Sequence, residues 1–105
     1  MTLQEFSTNL GEHLPGLVFE LAAPKGLARY VVWHRYGASS AHGDNRNMLD
    51  APKIQIDIVT NTGGDTLADD VTAALWMMDL PYSIQSEGYD PDYNACRTIL
   101  QLVVF

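Results

Sequence analysis

The sequence contains very little cysteine and little positive charge. Its 105 residues include one cysteine, Cys96, so no disulfide can form within the chain and a secreted disulfide scaffold is excluded. Cys96 lies in an apolar segment, which predicts a small buried side chain. Thirteen Asp and Glu residues outnumber six Lys and Arg residues, and the formal charge is −7. Proteins that bind nucleic acids present basic surfaces, so nucleic-acid binding is disfavoured.

The sequence also shows no pattern typical of a targeting or membrane-spanning segment. The first residues are acidic and amphipathic, and no apolar run reaches about 18 residues. We therefore expect a soluble protein made inside the cell, with no membrane partner. Hydrophobic residues make up 47% of the chain and charged residues 18%, which argues against disorder. This length predicts a single domain, residues 1–105.

The most informative stretch is an alternating strand followed by an amphipathic helix. In residues 53–58 the isoleucines fall on one face and Lys53, Gln55 and Asp57 on the other, which predicts a half-buried strand. Beyond two glycines, apolar residues recur with helical spacing: Leu67, Val71, Ala74, Leu75 and Met78. Such a stripe needs an apolar partner, so we predict that this helix packs on the isoleucine face.

Two threonines compete for the start of this helix. Thr62 and Asp65 form a variant of the capping box, with the acid near the positive end of the helix. Thr66 and Asp69 form the same pair four residues later. We predict a start at Thr62, with Thr66 as the alternative.

The rest of the chain supplies another helix and more strands. Residues 2–14 predict a helix that Thr2 and Glu5 cap, with an apolar stripe along one side: Leu3, Phe6, Leu10 and Leu14. Residues 17–21 predict a short strand, residues 29–36 a strand with apolar groups on both faces, and residues 82–88 and 95–105 a hairpin. We expect Trp33 and Trp76 to be core or interface anchors. The fold class predicted is α+β, a mostly antiparallel sheet of four or five strands with two helices packed on it.

Residues 37–50 are polar and show no periodicity, which predicts a long loop. Loops of this length are unusual in compact domains and tend to be functional. This loop is the first candidate for contact with another molecule, through the following residues: Ser39, Ser40, His42, Asp44, Arg46 and Asp50.

Residue types that carry chemistry are present, but their spacing does not support a catalytic or metal site. Ser40, His42 and Asp44 lie in one polar segment, whereas a triad normally draws on separated segments. The acidic turn at residues 90–94 has the first spacings of a calcium loop but lacks its glycine and its glutamate. The histidines have no metal-ligand spacing. We therefore predict no enzyme activity, no metal and no cofactor.

The order of these segments resembles a family, the small tail-completion proteins of long-tailed bacteriophages and prophages, which terminate tails and join them to heads. The resemblance covers roughly residues 17–105. It rests on the strand at 30–35, the polar segment after it, the strand at 53–58, the Thr-capped helix at 67–75 and the closing strand at 97–102. Gln55 and Asp57 match a Gln-x-Asp that such proteins often carry.

The resemblance implies a virion protein at the head-proximal end of the tail, made in the bacterial host cytoplasm. It would form a ring, with a hexamer as the expected form, that ends the tail tube and docks to the head connector. Its partners would be further copies of itself, the tail tube protein and the head connector or stopper protein. DNA would pass through an acidic lumen without specific binding. Residues 37–50 would supply contacts between subunits or to the head, and Gln55 and Asp57 an exposed polar face.

Two other classes stay open on the sequence alone. One is a small bacterial α+β module that binds a ligand or a protein without catalysis, remains monomeric and uses a concave pocket. The other is an enzyme that depends on Ser40, His42 or Asp44.

Overall fold

The computed structural model describes the backbone of residues 1–43 and 46–104 and the side chains of residues 1–37 and 51–104. Two helices and five strands follow one another in the described chain. They are α1 (Leu3–His13), β1 (Val18–Glu20), β2 (Arg29–Gly43), β3 (Arg46–Thr60), α2 (Leu67–Met77), β4 (Tyr82–Asp90) and β5 (Ala95–Val103). This arrangement confirms the predicted α+β class.

The five strands form one sheet in the order β1-β2-β3-β5-β4. β1 pairs with β2 in parallel, and the three other pairings are antiparallel. The alternating strand of the sequence, β3, therefore lies at the centre. The last strand, β5, pairs on both sides, while β4 and β1 are the edges.

Both helices pack on one face of the sheet and form the core with it. On β3, Ile54 and Ile56 are fully buried and Ile58 is 2% exposed, which confirms the predicted isoleucine face. The helices contribute Phe6, Leu10, Leu67, Val71, Ala74 and Leu75 to the same cluster. Fully burying each isoleucine contributes about 1.5–3 kcal/mol.

The predicted cap of α1 is confirmed. The Thr2 hydroxyl accepts a hydrogen bond from the Glu5 backbone N–H at 3.0 Å, and the Glu5 carboxylate accepts one from the Thr2 backbone N–H at 3.4 Å. These bonds satisfy two backbone donors that would otherwise lack partners in the first turn.

The predicted start of α2 at Thr62 is wrong. The helix begins at Leu67 with Thr66 at the N-cap, the alternative register, although the Thr66 side chain caps nothing. Asp65 Oδ1 instead accepts the Leu67 backbone N–H at 2.9 Å. Two further contacts hold Asp65, because Arg29 Nε and Nη2 donate to its carboxylate at 3.2 and 3.0 Å. Gly64 has a φ of 82°, a left-handed conformation that a helix starting at Thr62 could not contain.

The predicted loop at residues 37–50 is also wrong. Residues 37–43 belong to β2 and residues 46–50 to β3, and the two strands pair there with Ser40 opposite Asp50 and Gly43 opposite Arg46. From Ala38 and Pro52 outward, no third strand of the described chain joins them. We call residues 38–43 and 46–52 the ribbon. Backbone pairing needs no apolar alternation, which is why a polar segment could extend two strands.

The structure also bears on two expectations about single residues. Trp33 is 2% exposed and lies in the core, whereas Trp76 is 82% exposed on α2, so of the two expected roles only an interface anchor stays open for Trp76. Cys96 is half-buried instead of buried; it lies on β5 opposite Thr60 and Tyr89. The C-terminal alternation is confirmed: Leu100, Leu102 and Val104 are buried.

The start of α2 predicts unequal effects of two substitutions. Asp65→Ala should lower the melting temperature, because it removes both the cap of Leu67 and the ion pair with Arg29. Thr62→Ala, the matched control, should leave it unchanged. An equal loss from the control would contradict the assignment.

The same contact predicts a pH dependence. The hydrogen bonds from Arg29 hold the pKa of the Asp65 carboxyl below its ordinary value of about 3.9. The stabilisation is therefore complete above that ordinary value and is lost as pH falls through the lowered pKa of the folded state. Denaturation curves from pH 6 downward should show that the difference in stability between wild type and Asp65→Ala shrinks at the acid end.

Candidate functional site on the open sheet face

One face of the sheet is covered by neither described helix, and we call it the open face. Successive side chains of a strand point to opposite faces, so burying Ile54, Ile56 and Ile58 places Gln55 and Asp57 on the open face. The strand register arranges it in three rows across β2, β3 and β5. They are Tyr30-Val59-Arg97, Val32-Asp57-Ile99 and His34-Gln55-Gln101.

A chain of side-chain hydrogen bonds crosses this face. Tyr36 donates from its hydroxyl to Gln101 Oε1 at 3.2 Å, and Gln101 Nε2 donates to Gln55 Oε1 at 3.4 Å. Gln55 Nε2 in turn donates to Asp57 Oδ1 at 3.0 Å. These contacts link three strands, so the polar groups of the open face are held in fixed positions.

Arg97 is the hub at the other end of the chain. Its Nη2 lies 2.7 Å from Asp57 Oδ2 and its Nη1 lies 3.1 Å from Asp90 Oδ2. The guanidinium carbon also lies 4.5 Å from the centre of the Tyr93 ring, a cation–π distance. The hydrogen bond to Asp57 raises the pKa of Arg97 above its ordinary value. The Arg97 Nε atom is buried and has no hydrogen-bond partner among the described residues.

A groove of about 450 Å³ runs beside this network. Residues 21–23, which follow β1, form one wall, and the floor is the open face itself. The groups that line it include Tyr30, His34, Gln55, Asp57, Tyr93 and Arg97. Burial raises the pKa of the Tyr30 hydroxyl. The groove therefore offers aromatic rings, amides and a charged pair, which are groups suited to recognising another molecule.

The predicted contact residues differ in how much of each the structure describes. Gln55 and Asp57 lie on the open face, half-buried and bonded to each other. The backbone of five others lies in the ribbon, and their side chains are outside the description: Ser39, Ser40, His42, Arg46 and Asp50. Asp44 lies outside the described residues. Because β2 and β3 form both features, the ribbon is continuous with the open face.

Sequence reasoning missed Arg97 and its neighbours. The one available signal was a cation, Arg97, within an apolar strand. That signal does not identify its partner, because Arg97 and Asp57 are 40 residues apart in the chain. Their contact depends on the pairing of β3 with β5. Among all the described residues, no group of three or more His, Cys, Asp and Glu side chains could hold a metal ion.

Neither described helix, each 11 residues long, has the length and apolar character needed to cross a membrane. No protein-family model matches this sequence, and a comparison with curated proteins finds no match.

The Arg97 hub predicts a stability loss. Arg97→Met should lower the free energy of unfolding by about 1–3 kcal/mol, because it leaves Asp57 and Asp90 without their shared partner. Arg35→Met is the control, since the exposed Arg35 side chain donates, among the described residues, only to the Gly37 carbonyl at 3.2 Å. Urea denaturation measures both variants. Equal stabilities would show that Arg97 is not a structural hub.

Proposed function

We propose that this protein is a phage tail-completion protein. Copies of it form a ring at the head-proximal end of the tail, end the tail tube and join it to the head connector. The mechanism is the fit of complementary surfaces in a closed ring, without a catalysed reaction. The resemblance of the strands and of the capped helix to that family suggests the role. The observation that best supports a function in assembly is the open face together with the ribbon that continues from it.

The open face supports assembly because it combines apolar area with fixed polar groups. Val32 and Ile99 lie beside the Gln55 and Asp57 pair, and all four are half-buried although neither described helix covers them. Interfaces between proteins commonly combine apolar contacts with aligned hydrogen-bonding groups. A second subunit that covered this face would complete a layer that the described chain leaves open.

The ribbon supports assembly for a different reason. A two-stranded hairpin alone is marginally stable in water. Here the ribbon extends beyond the five-stranded body, and within the described chain no third strand pairs with it. A neighbouring subunit, the tail tube or the head connector would supply the missing contacts. If the ribbon of one subunit contacts a different surface of the next, the contact is head-to-tail. Such contacts close into a ring when the rotation between subunits allows it.

The charge of the chain agrees with a passage for DNA. A formal charge of −7 per subunit, multiplied around a ring, would repel phosphates and let DNA slide without specific binding. The acids of residues 37–50, Asp44 and Asp50, are the ones we assign to the lumen.

The groove favours a second candidate function. A concavity of about 450 Å³ with two tyrosines and a charged pair has the size and chemistry of a small-ligand site. In that case the protein would be a monomeric bacterial binding module. Native mass spectrometry with and without cell extract metabolites separates a ligand-bound monomer from an assembling subunit.

An early stop codon tests the proposed function directly. In a phage or prophage whose copy of this gene is interrupted, electron microscopy of lysates should show filled heads beside unattached, over-long or irregular tails. A plasmid copy of the intact gene should restore joined particles, because it supplies the structural subunit that the stop codon removes. Normal joined particles without the plasmid would contradict the role.

Complementation of the same stop mutant tests the open face. A plasmid that encodes Gln55→Ala should restore fewer joined particles than the intact gene, since the amide is lost from the proposed contact while the Arg97–Asp57 pair stays. Thr8→Ala is the control, because Thr8 is exposed on α1 on the other side of the sheet. Equal restoration by both variants would remove Gln55 from the interface.

A further inference from the structure

Helix α2 carries an exposed apolar pair on the side away from the sheet. Trp76 is 82% exposed and Met77 is 73% exposed, although both are large and hydrophobic. The opposite side of the helix is fully used, because Leu67, Val71 and Leu75 are each 0% exposed in the core. The exposure of Trp76 and Met77 therefore does not come from a poorly packed helix.

The exposed residues of α2 form one continuous stripe. At about 100° per residue, Asp69, Ala73 and Trp76 line up, with Asp70 and Met77 beside them. All five are exposed. We call these residues the α2 stripe. It is acidic in the first turn, narrow at Ala73 and apolar in the last turn, and α2 contains no basic residue.

The two acids of the stripe are available to a partner. Negative charge in the first turn also stabilises the helix through its dipole. That role leaves the carboxylates in solvent, where the Asp70 carboxylate accepts a 3.5 Å hydrogen bond from the Thr66 hydroxyl. Two exposed acids beside an exposed Trp and Met give the stripe both a negative charge and an apolar area that a partner could complement.

We propose that the α2 stripe binds a basic amphipathic helix of a partner protein. Apolar side chains of that helix would cover Trp76 and Met77, and its Lys or Arg residues would pair with Asp69 and Asp70. The small side chain of Ala73 lets the two helix backbones approach closely. This binding mode follows the helix-packing rules of soluble proteins and does not depend on ring formation.

The charge pattern disfavours a second copy of this chain as the occupant. Two α2 helices packed antiparallel would place Trp76 against the acids of the other copy, and packed in parallel they would place acid against acid. In either packing no cation would face these acids across the two helices, because α2 contains no basic residue. The same acids would repel an anionic membrane and nucleic acid.

Binding of a synthetic peptide to the intact protein tests this inference. The probe is a tryptophan-free amphipathic peptide of about five helical turns, with one leucine stripe flanked by Lys and Arg. Because Trp33 is buried, quenching of tryptophan fluorescence by acrylamide reports mainly on Trp76. The peptide should shift the emission to shorter wavelength and protect Trp76 from the quencher. A scrambled peptide without the stripe should do neither.

Calorimetry with variants then assigns the contacts. Trp76→Ala should weaken peptide binding by about 30-fold, as expected of a central aromatic anchor. Tyr89→Ala, which removes an exposed aromatic ring from the β4–β5 hairpin, is its control. Asp69→Asn/Asp70→Asn should weaken binding and reduce its salt dependence. Glu87→Gln/Asp92→Asn, which removes two charges from the β4–β5 hairpin, should change neither the affinity nor its salt dependence. Retained Trp33 emission and melting temperature confirm folding of each variant.

Several outcomes would overturn the inference. Unchanged affinity in Trp76→Ala, or equal binding of the scrambled peptide, would show that net charge alone attracts the probe. A response of Trp76 to phosphatidylglycerol vesicles but not to the peptide would indicate a membrane surface instead. Concentration-dependent burial of Trp76 without peptide would indicate a second copy of the chain.

Discussion

Burial of the β3 isoleucines under the two helices is the constraint on which the rest of the structure depends. Side chains alternate along a strand, so a shift of one residue would expose Ile54, Ile56 and Ile58 together and bury Gln55 and Asp57. The core therefore fixes the register of the central strand. The three rows of the open face, and the groove beside them, follow from that register as much as from the hydrogen bonds between their side chains.

Ion pairs connect this central layer to the outer parts of the chain. Arg97 joins β5 to Asp57 on β3 and to Asp90 at the end of β4, while Arg29 joins β2 to the turn before α2. Each pair is partly buried, which strengthens it relative to an exposed pair. The pairs lie outside the apolar core, and they connect the β4–β5 hairpin to β3 and the start of α2 to β2.

The two proposed contact surfaces lie on opposite sides of the sheet and differ in chemistry. The open face combines apolar side chains with fixed amides and a charged pair, which suits contact with another subunit. The α2 stripe separates its acids from its apolar pair along one helix, which suits a basic amphipathic helix. A subunit with both surfaces could contact its neighbours in a ring and a separate partner at the same time.

The sequence by itself determined features whose causes are local. The capping box of Thr2 and Glu5, the alternation of the β3 isoleucines and the hairpin of β4 and β5 each depend on residues close together in the chain. The tertiary structure decided what distant residues control. Arg29 lies 36 residues before Asp65, and their contact accompanies a helix start at Leu67 instead of Thr62. Pairing between backbones, which leaves no mark on side-chain pattern, made strands of residues 37–43 and 46–50. Arg97 joined the open face because β5 pairs with β3, a pairing that no local pattern specifies.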